Sequence, residues 1–219
     1  MSGWKLLGVV VGILLVALVV AGVGLSSGTK TVTETLTVTT TETSTSYVTK
    51  TLTKSFTVTV TSGTKVELLE DGDYFARARS LISRANSTIL VMMYAMKYDP
   101  KEVGDPVNQL LLGLVEAKGR GVEVRVLVDD VTAKSYPQSL SYLKEHGVPV
   151  RLDESPKVTT HVKLVLIDGN YSLIGSHNWT ESALKYNHEL SVLIESGSVY
   201  EALEGYFNGI WEEGRTVKI

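Results

Sequence analysis

From Leu6 to Leu25 the chain runs LLGVVVGILLVALVVAGVGL without a single charge. At about 1.5 Å per residue such a run spans a hydrocarbon core roughly 30 Å thick, so it reads as a transmembrane helix occupying residues 1–25. Any water-soluble domain has to be built from the residues beyond it. A cleaved secretory signal is the competing reading, with cleavage near Ala21 or Gly24. The apolar part of a signal usually runs only about 7 to 15 residues, and the length here favours an uncleaved anchor. Lys5 precedes the run, while Lys30 beyond it is balanced by Glu34. The positive-inside tendency then places the N-terminus in the cytoplasm and the rest of the chain outside it.

Residues 26–64 cannot supply a core either. Every odd position from Thr29 to Thr61 is Thr or Ser except Tyr47, and the even positions mix Val, Leu and Phe with Lys and Glu. A period of two is a strand pattern, but a lone strand is not stable, which leaves an extended solvated stalk or a β stalk shared between chains. Fully extended, it would hold a domain roughly 120 Å from the bilayer. Its hydroxyl density also suits O-glycosylation.

The folded part is therefore residues 66–219. It carries 16 Lys and Arg against 22 Asp and Glu, a net charge of −6, which excludes a broad basic grip on nucleic acid. The absence of cysteine excludes disulfides, thiolate nucleophiles and cysteine-based metal sites. Strand-like and helix-like runs alternate. Val66–Leu69 reads as a strand, Tyr74–Ala85 as a helix, Ser87–Met96 as a buried strand, Pro106–Lys118 as a helix and Val122–Val128 as a strand. A helix over Pro137–His146 and a strand over Val148–Leu152 come next. His161–Ile167 and Tyr171–Ile174 form a hairpin around Asp168-Gly169-Asn170, and Asn187–Glu195 and Val199–Trp211 close the chain as strand and helix. Early strand–helix alternation with a late hairpin predicts an α/β domain with a mixed β-sheet flanked by helices.

Chemistry concentrates in THVKLVLIDGNYSLIGSHNWT, residues 160–180. On a strand, His161 and Lys163 share a face. Asp168 ends that strand, and Gly175-Ser176-His177-Asn178 ends its neighbour, where the glycine permits close backbone approach. A phosphate needs positive charge and hydrogen-bond donors around it, and Lys163, Ser176 and Asn178 supply both.

These residues form the pattern H-x-K-x4-D-x6-G-S-x-N: His161, Lys163, Asp168, Gly175, Ser176 and Asn178. In this the sequence resembles the phospholipase D superfamily. The likeness extends to Glu189 in the following Asn-x-Glu and to Tyr94 in the early core strand, and it covers residues 66–219. It implies phosphodiester hydrolysis with neither metal nor other cofactor. Single-motif members resemble half-sites, so it also implies a homodimer joined through the active-site face, with the site on the two-fold axis. One His161 would attack phosphorus to give a phosphohistidine, and His161 of the partner subunit would protonate the leaving oxygen. Lys163, Asn178 and Ser176 would hold the phosphate oxygens. Glu189 would accept from the imidazole Nδ1. Asp168 is either part of the site or an organiser of its turn. Compact single-motif members resemble nucleases, which makes DNA or RNA the leading substrate. A membrane phospholipid is the alternative, favoured by the anchor and weakened by the stalk. A non-catalytic stalk protein with a degenerate domain would not need the intact motif. His177 and His188 lie off the signature and read as structural or rim residues. Asp129, Asp130, Lys134, Tyr136 and Lys157 are loop residues that can border the site, while Met92, Met93 and Met96 read as core.

Overall fold

The computed structural model describes residues 64–217, together with the backbone of two short paired strands, β1 (Val38–Thr40) and β2 (Leu52–Lys54). The apolar run and most of the Thr-rich segment lie outside the described residues. Among the described residues no helix is long and apolar enough to cross a membrane.

The domain holds an eight-stranded mixed sheet, in the order β10-β6-β5-β4-β7-β8-β9-β3. Its centre is β4 (Thr88–Met93), which pairs parallel with β5 (Glu123–Val128) and antiparallel with β7 (Lys163–Ile167). Nearly every residue of β4 is apolar because both of its faces are covered. Ile89, Val91 and Met93 join the larger core beneath α1 (Asp73–Arg84) and α2 (Pro106–Gly119), whereas Leu90 and Met92 face the second core under α6 (Gly197–Glu213). Beyond β5 lie β6 (Val150–Leu152) and the two-residue β10 (Arg215–Thr216). Beyond β7 lie β8 (Tyr171–Gly175), β9 (Leu190–Glu195) and the edge strand β3 (Lys65–Glu70). This is the mixed sheet flanked by helices that the pattern predicts.

Three elements escape the sequence pattern: α3 (Asp130–Ser135), α5 (Glu181–Lys185) and β10. The two helices are too short to show a 3.6-residue period and are started by side chains, Asp129 accepting from Val131 and Thr180 from Ala183. The remaining helix, α4 (Pro137–Glu145), begins at its expected proline. One boundary matters for the site. The ladder of β7 begins at Lys163, opposite Met93, so His161 lies in the coil ahead of it and not on the strand.

Candidate active site

The strand ends decide which motif residues meet. β4 and β8 end, and β7 and β9 begin, at the same edge of the sheet. His161, Lys163, Ser176, Asn178 and Glu189 are gathered there. Asp168 sits at the other end of the five-residue β7, roughly 16 Å away at about 3.3 Å per residue.

Although His161 precedes the strand, its backbone is held alongside β4 by the Tyr94 amide, which donates to the Val162 carbonyl at 2.9 Å. Its imidazole is exposed and lies against Tyr94, with ring centroids 4.4 Å apart and a tilt of 59°. Lys163 is only 6% exposed. Its Nζ lies 3.1 Å from both His161 ring nitrogens, donates to the His161 carbonyl at 3.2 Å and stands 5.0 Å from the Tyr94 ring centroid. Burial pushes the Lys163 ammonium below its ordinary value, and the nearby Glu189 carboxylate partly opposes this.

Asn178 is oriented by its carbonyl, whose Oδ1 accepts from the Ala95 amide at 3.3 Å. That leaves the Nδ2 donors for an incoming group. The Ser176 hydroxyl donates to Glu189 Oε2 and accepts from the Leu190 amide at 3.1 Å. Glu189 also receives the Asn187 side chain at 3.0 Å. Its carboxylate is thus engaged by Ser176 and Asn187, and not by the His161 imidazole as the family resemblance implied.

Asp168 is an organiser of backbone. With φ of 53° it begins a turn continued by Gly169 at φ 72°, and its carboxylate accepts from the amides of Asn86, Ser87 and Thr88 and from the Ser87 hydroxyl at 2.8 to 3.2 Å. Burial alone would raise its pKa, but the hydrogen bonds from Ser87, Thr88 and Asn86 outweigh this, and the group lies below the usual carboxylate value. A depressed native value gives stability that is complete above the unfolded value of 3.8 and is lost as pH falls through the lower native one. Discounted for the solvent at this partly exposed corner, Asp168→Ala is expected to cost roughly 2 kcal/mol at about pH 6, with the gap from the parent closing towards about pH 2, as read by urea unfolding at each pH. An unchanged midpoint at about pH 6 would show that the carboxylate does not secure this corner.

His177 is fully buried. It stacks on Tyr74 at 4.4 Å, pairs through Nδ1 with the Ser191 hydroxyl at 2.7 Å and donates through Nε2 to the Asp71 carbonyl at 2.9 Å. Burial pushes its pKa down, and its role is to tie β9 to the turn after β3. His188 is exposed and pairs with Asp71 at 3.2 Å. An open cleft of about 390 Å³, lined by Arg77, Arg84, Asp168 and Tyr171 among others, lies at the opposite end of the sheet from His161. A trio of carboxylates, Glu102, Asp105 and Glu181, has its oxygens within 4.8 Å of one another, but Asp105 caps α2 and Glu181 pairs with Lys185.

A family profile described as "Cardiolipin synthase, PLD-like domain" matches residues 78–211, a span that contains every one of these motif residues. The chain belongs to the phospholipase D superfamily. Among phospholipase D relatives, it is 33% identical over 94 residues to the mitochondrial cardiolipin hydrolase of Xenopus tropicalis, covering 43% of this chain and 44% of that one. It is 30% identical over 128 residues to the phospholipase D of Rickettsia prowazekii, covering 58% of each. The chain thus spans about half the length of the curated relatives it matches. The crystal structure of Nuc from Salmonella typhimurium, a phospholipase D family member, superposes with a TM-score of 0.61 at 25% identity, over 71% of this chain and 99% of that one. NucT from Helicobacter pylori shares the fold, with a TM-score of 0.59 at 16% identity. Members of this superfamily are phosphodiesterases.

Proposed function

We infer that this chain is a phosphodiesterase that hydrolyses DNA or RNA without a metal, through a phosphohistidine formed in a site shared by two copies. The observation that carries the reading is the exposed His161 imidazole with a nearly buried ammonium 3.1 Å away. Desolvating an ammonium is unfavourable, and a bound phosphate would turn that charge to use. Lys163 would move from the ring to a nonbridging oxygen, with the Asn178 amide on another, which frees the imidazole to attack phosphorus. The P–N bond forms as the bond to the leaving oxygen breaks. That oxygen needs a proton, and among the described residues the other three histidines, His146, His177 and His188, pair with Tyr142, Ser191 and Asp71 and make no hydrogen bond or ring contact with His161. His161 of the partner subunit would supply it, and would then take a proton from the water that opens the phosphohistidine.

The sheet supports such a pairing. On the face covered by α6, the outer strands carry Val66, Leu68 and Leu190, each more than half exposed, and Leu190 directly follows Glu189. An uncovered apolar strip beside an incomplete site suits a second copy. The exposed imidazole favours a phosphodiester on a polymer crossing the surface. A second reading, hydrolysis of a phospholipid, is favoured by the cardiolipin hydrolase and phospholipase D among the relatives. The deciding assay presents single-stranded DNA, RNA and cardiolipin vesicles to the full chain in detergent, with and without EDTA. Nucleic acid should be cut and EDTA should leave the rate unchanged. Turnover of lipid alone would transfer the assignment to the second reading, and abolition by EDTA would remove the metal-free mechanism.

A further inference from the structure

Because His161 lies in coil, the strand ladder does not fix its position. The residue before it is fixed from two sides. Thr160 is buried, its amide donates to Asp129 Oδ2 at 2.8 Å and its hydroxyl to Asp153 Oδ2 at 2.9 Å. Asp129 follows β5 and also accepts from the Val131 amide at 2.8 Å, while Asp153 follows β6. One threonine therefore bridges the ends of two adjacent parallel strands. Both carboxylates are buried, Asp153 completely, and a buried carboxylate persists only when it is paired or fully hydrogen-bonded.

The partner of Asp153 comes from the far end of the chain. Arg215, on β10, pairs with Leu152 in the sheet. Its Nη2 lies 3.1 Å from Asp153 Oδ1 and 2.5 Å from Asp130 Oδ2, and its Nε donates to the Asp153 carbonyl at 2.8 Å. These bonds run from the C-terminal strand through Asp153 to Thr160, and so to the residue next to the imidazole.

We propose that Arg215 is a positioning residue for His161, acting through Asp153 and Thr160. Without the guanidinium, Asp153 is a buried charge with no counter-charge and turns towards water, releasing the Thr160 hydroxyl. Thr160 then keeps its amide bond to Asp129 but loses its tie to the end of β6, so the coil carrying His161 is held on that side by one bond instead of two. Attack on phosphorus tolerates little displacement, and a shift of about 1 Å can cost up to about 10²-fold in rate. The inference rests on the reading of His161 as the nucleophile.

The test uses Arg215→Gln, Arg215→Lys, Thr160→Val and Thr160→Ser in the full chain. Each is assayed on bis(p-nitrophenyl) phosphate, and the His161 ring-proton resonances are recorded by NMR without substrate. Arg215→Gln and Thr160→Val are expected to lower kcat by about tenfold to fiftyfold, with KM within about twofold, and to shift or broaden the His161 resonances. Thr160→Ser and Arg215→Lys should restore most of the loss. Parental kcat in a folded Arg215→Gln chain, unmoved His161 resonances, or a Thr160→Ser chain as impaired as Thr160→Val would each overturn the proposal. Should Arg215→Gln fail to fold, the Thr160 pair decides, since both leave the ion pair intact. If the parent cleaves no phosphodiester, the functional reading falls, while the resonances still decide the positioning.

Discussion

Replacing His161 by alanine is expected to lower kcat by roughly 10⁴-fold or more, with the melting temperature within about two degrees of the parent. The two halves of this result have separate causes. The ring is exposed, and its hydrogen-bond and ring contacts among the described residues are with Lys163 and Tyr94, so the core loses little when it is removed, and Lys163 keeps the His161 carbonyl at 3.2 Å. In the proposed homodimeric site, one substitution would delete the nucleophile and the general acid together. The steady-state rate on nucleic acid and the melting curve of the same preparation check both halves. Tagging one of two co-expressed chains separates the roles further. A parental chain paired with His161→Ala keeps one imidazole and should turn over far more slowly than the parental dimer, although only one copy is altered. A mixed dimer with half the parental rate would show that each chain works alone. Turnover of His161→Ala within about tenfold of the parent would remove His161 from the chemistry altogether.

The sequence reveals this fold where burial is two-sided. β4 and β7 are nearly continuous apolar runs, and the side chains on their two faces enter the two cores on either side of the sheet. Where elements are short, the pattern is silent: α3 and α5 hang on single capping side chains, and β10 is two residues long. His161 reads as strand because alternation continues through it, but the ladder to β4 stops at Lys163, and period two does not reveal where pairing ends. The site divides along the same line. Residue identity marks His161, Lys163, Ser176, Asn178 and Glu189, which do gather at one end of the sheet. Spacing alone does not reveal that the aspartate five positions after Lys163 must face the other end, as a five-residue strand dictates. Least visible is the Asp129, Thr160 and Asp153 network, because its members meet only once the ends of β5 and β6 lie side by side. The Asp129-Asp130 pair stands out as a strand end, whereas no pattern in the sequence singles out Asp153.

Gly175→Ala is expected to destabilise the domain by about 3 kcal/mol, lowering the urea midpoint without changing the slope of the transition. The glycine is not there for conformational freedom, since among the described residues the glycines at positive φ are Gly121, Gly147 and Gly169. It is there for closeness: in register with Ser191 on β9, a β-carbon at position 175 would lie 2.5 Å from the Leu190 carbonyl oxygen and nearer still to Ser191. Most of what it meets is backbone, which has no rotamer to change. β9 cannot simply retreat either, because β3 pairs along its other edge and the Ser191 hydroxyl is tied to His177 at 2.7 Å. Any retreat also carries Glu189 and Leu190, whose contacts with Ser176 build the site, so residual activity at low urea should fall along with stability. Gly119→Ala, in the last turn of α2 where an added carbon meets nothing within 4 Å, is the control and should be neutral or stabilising by up to about 1 kcal/mol. Equal midpoints for Gly175→Ala and the parent would mean that β9 yields at no cost, and that strand contact does not account for the glycine between β8 and Ser176.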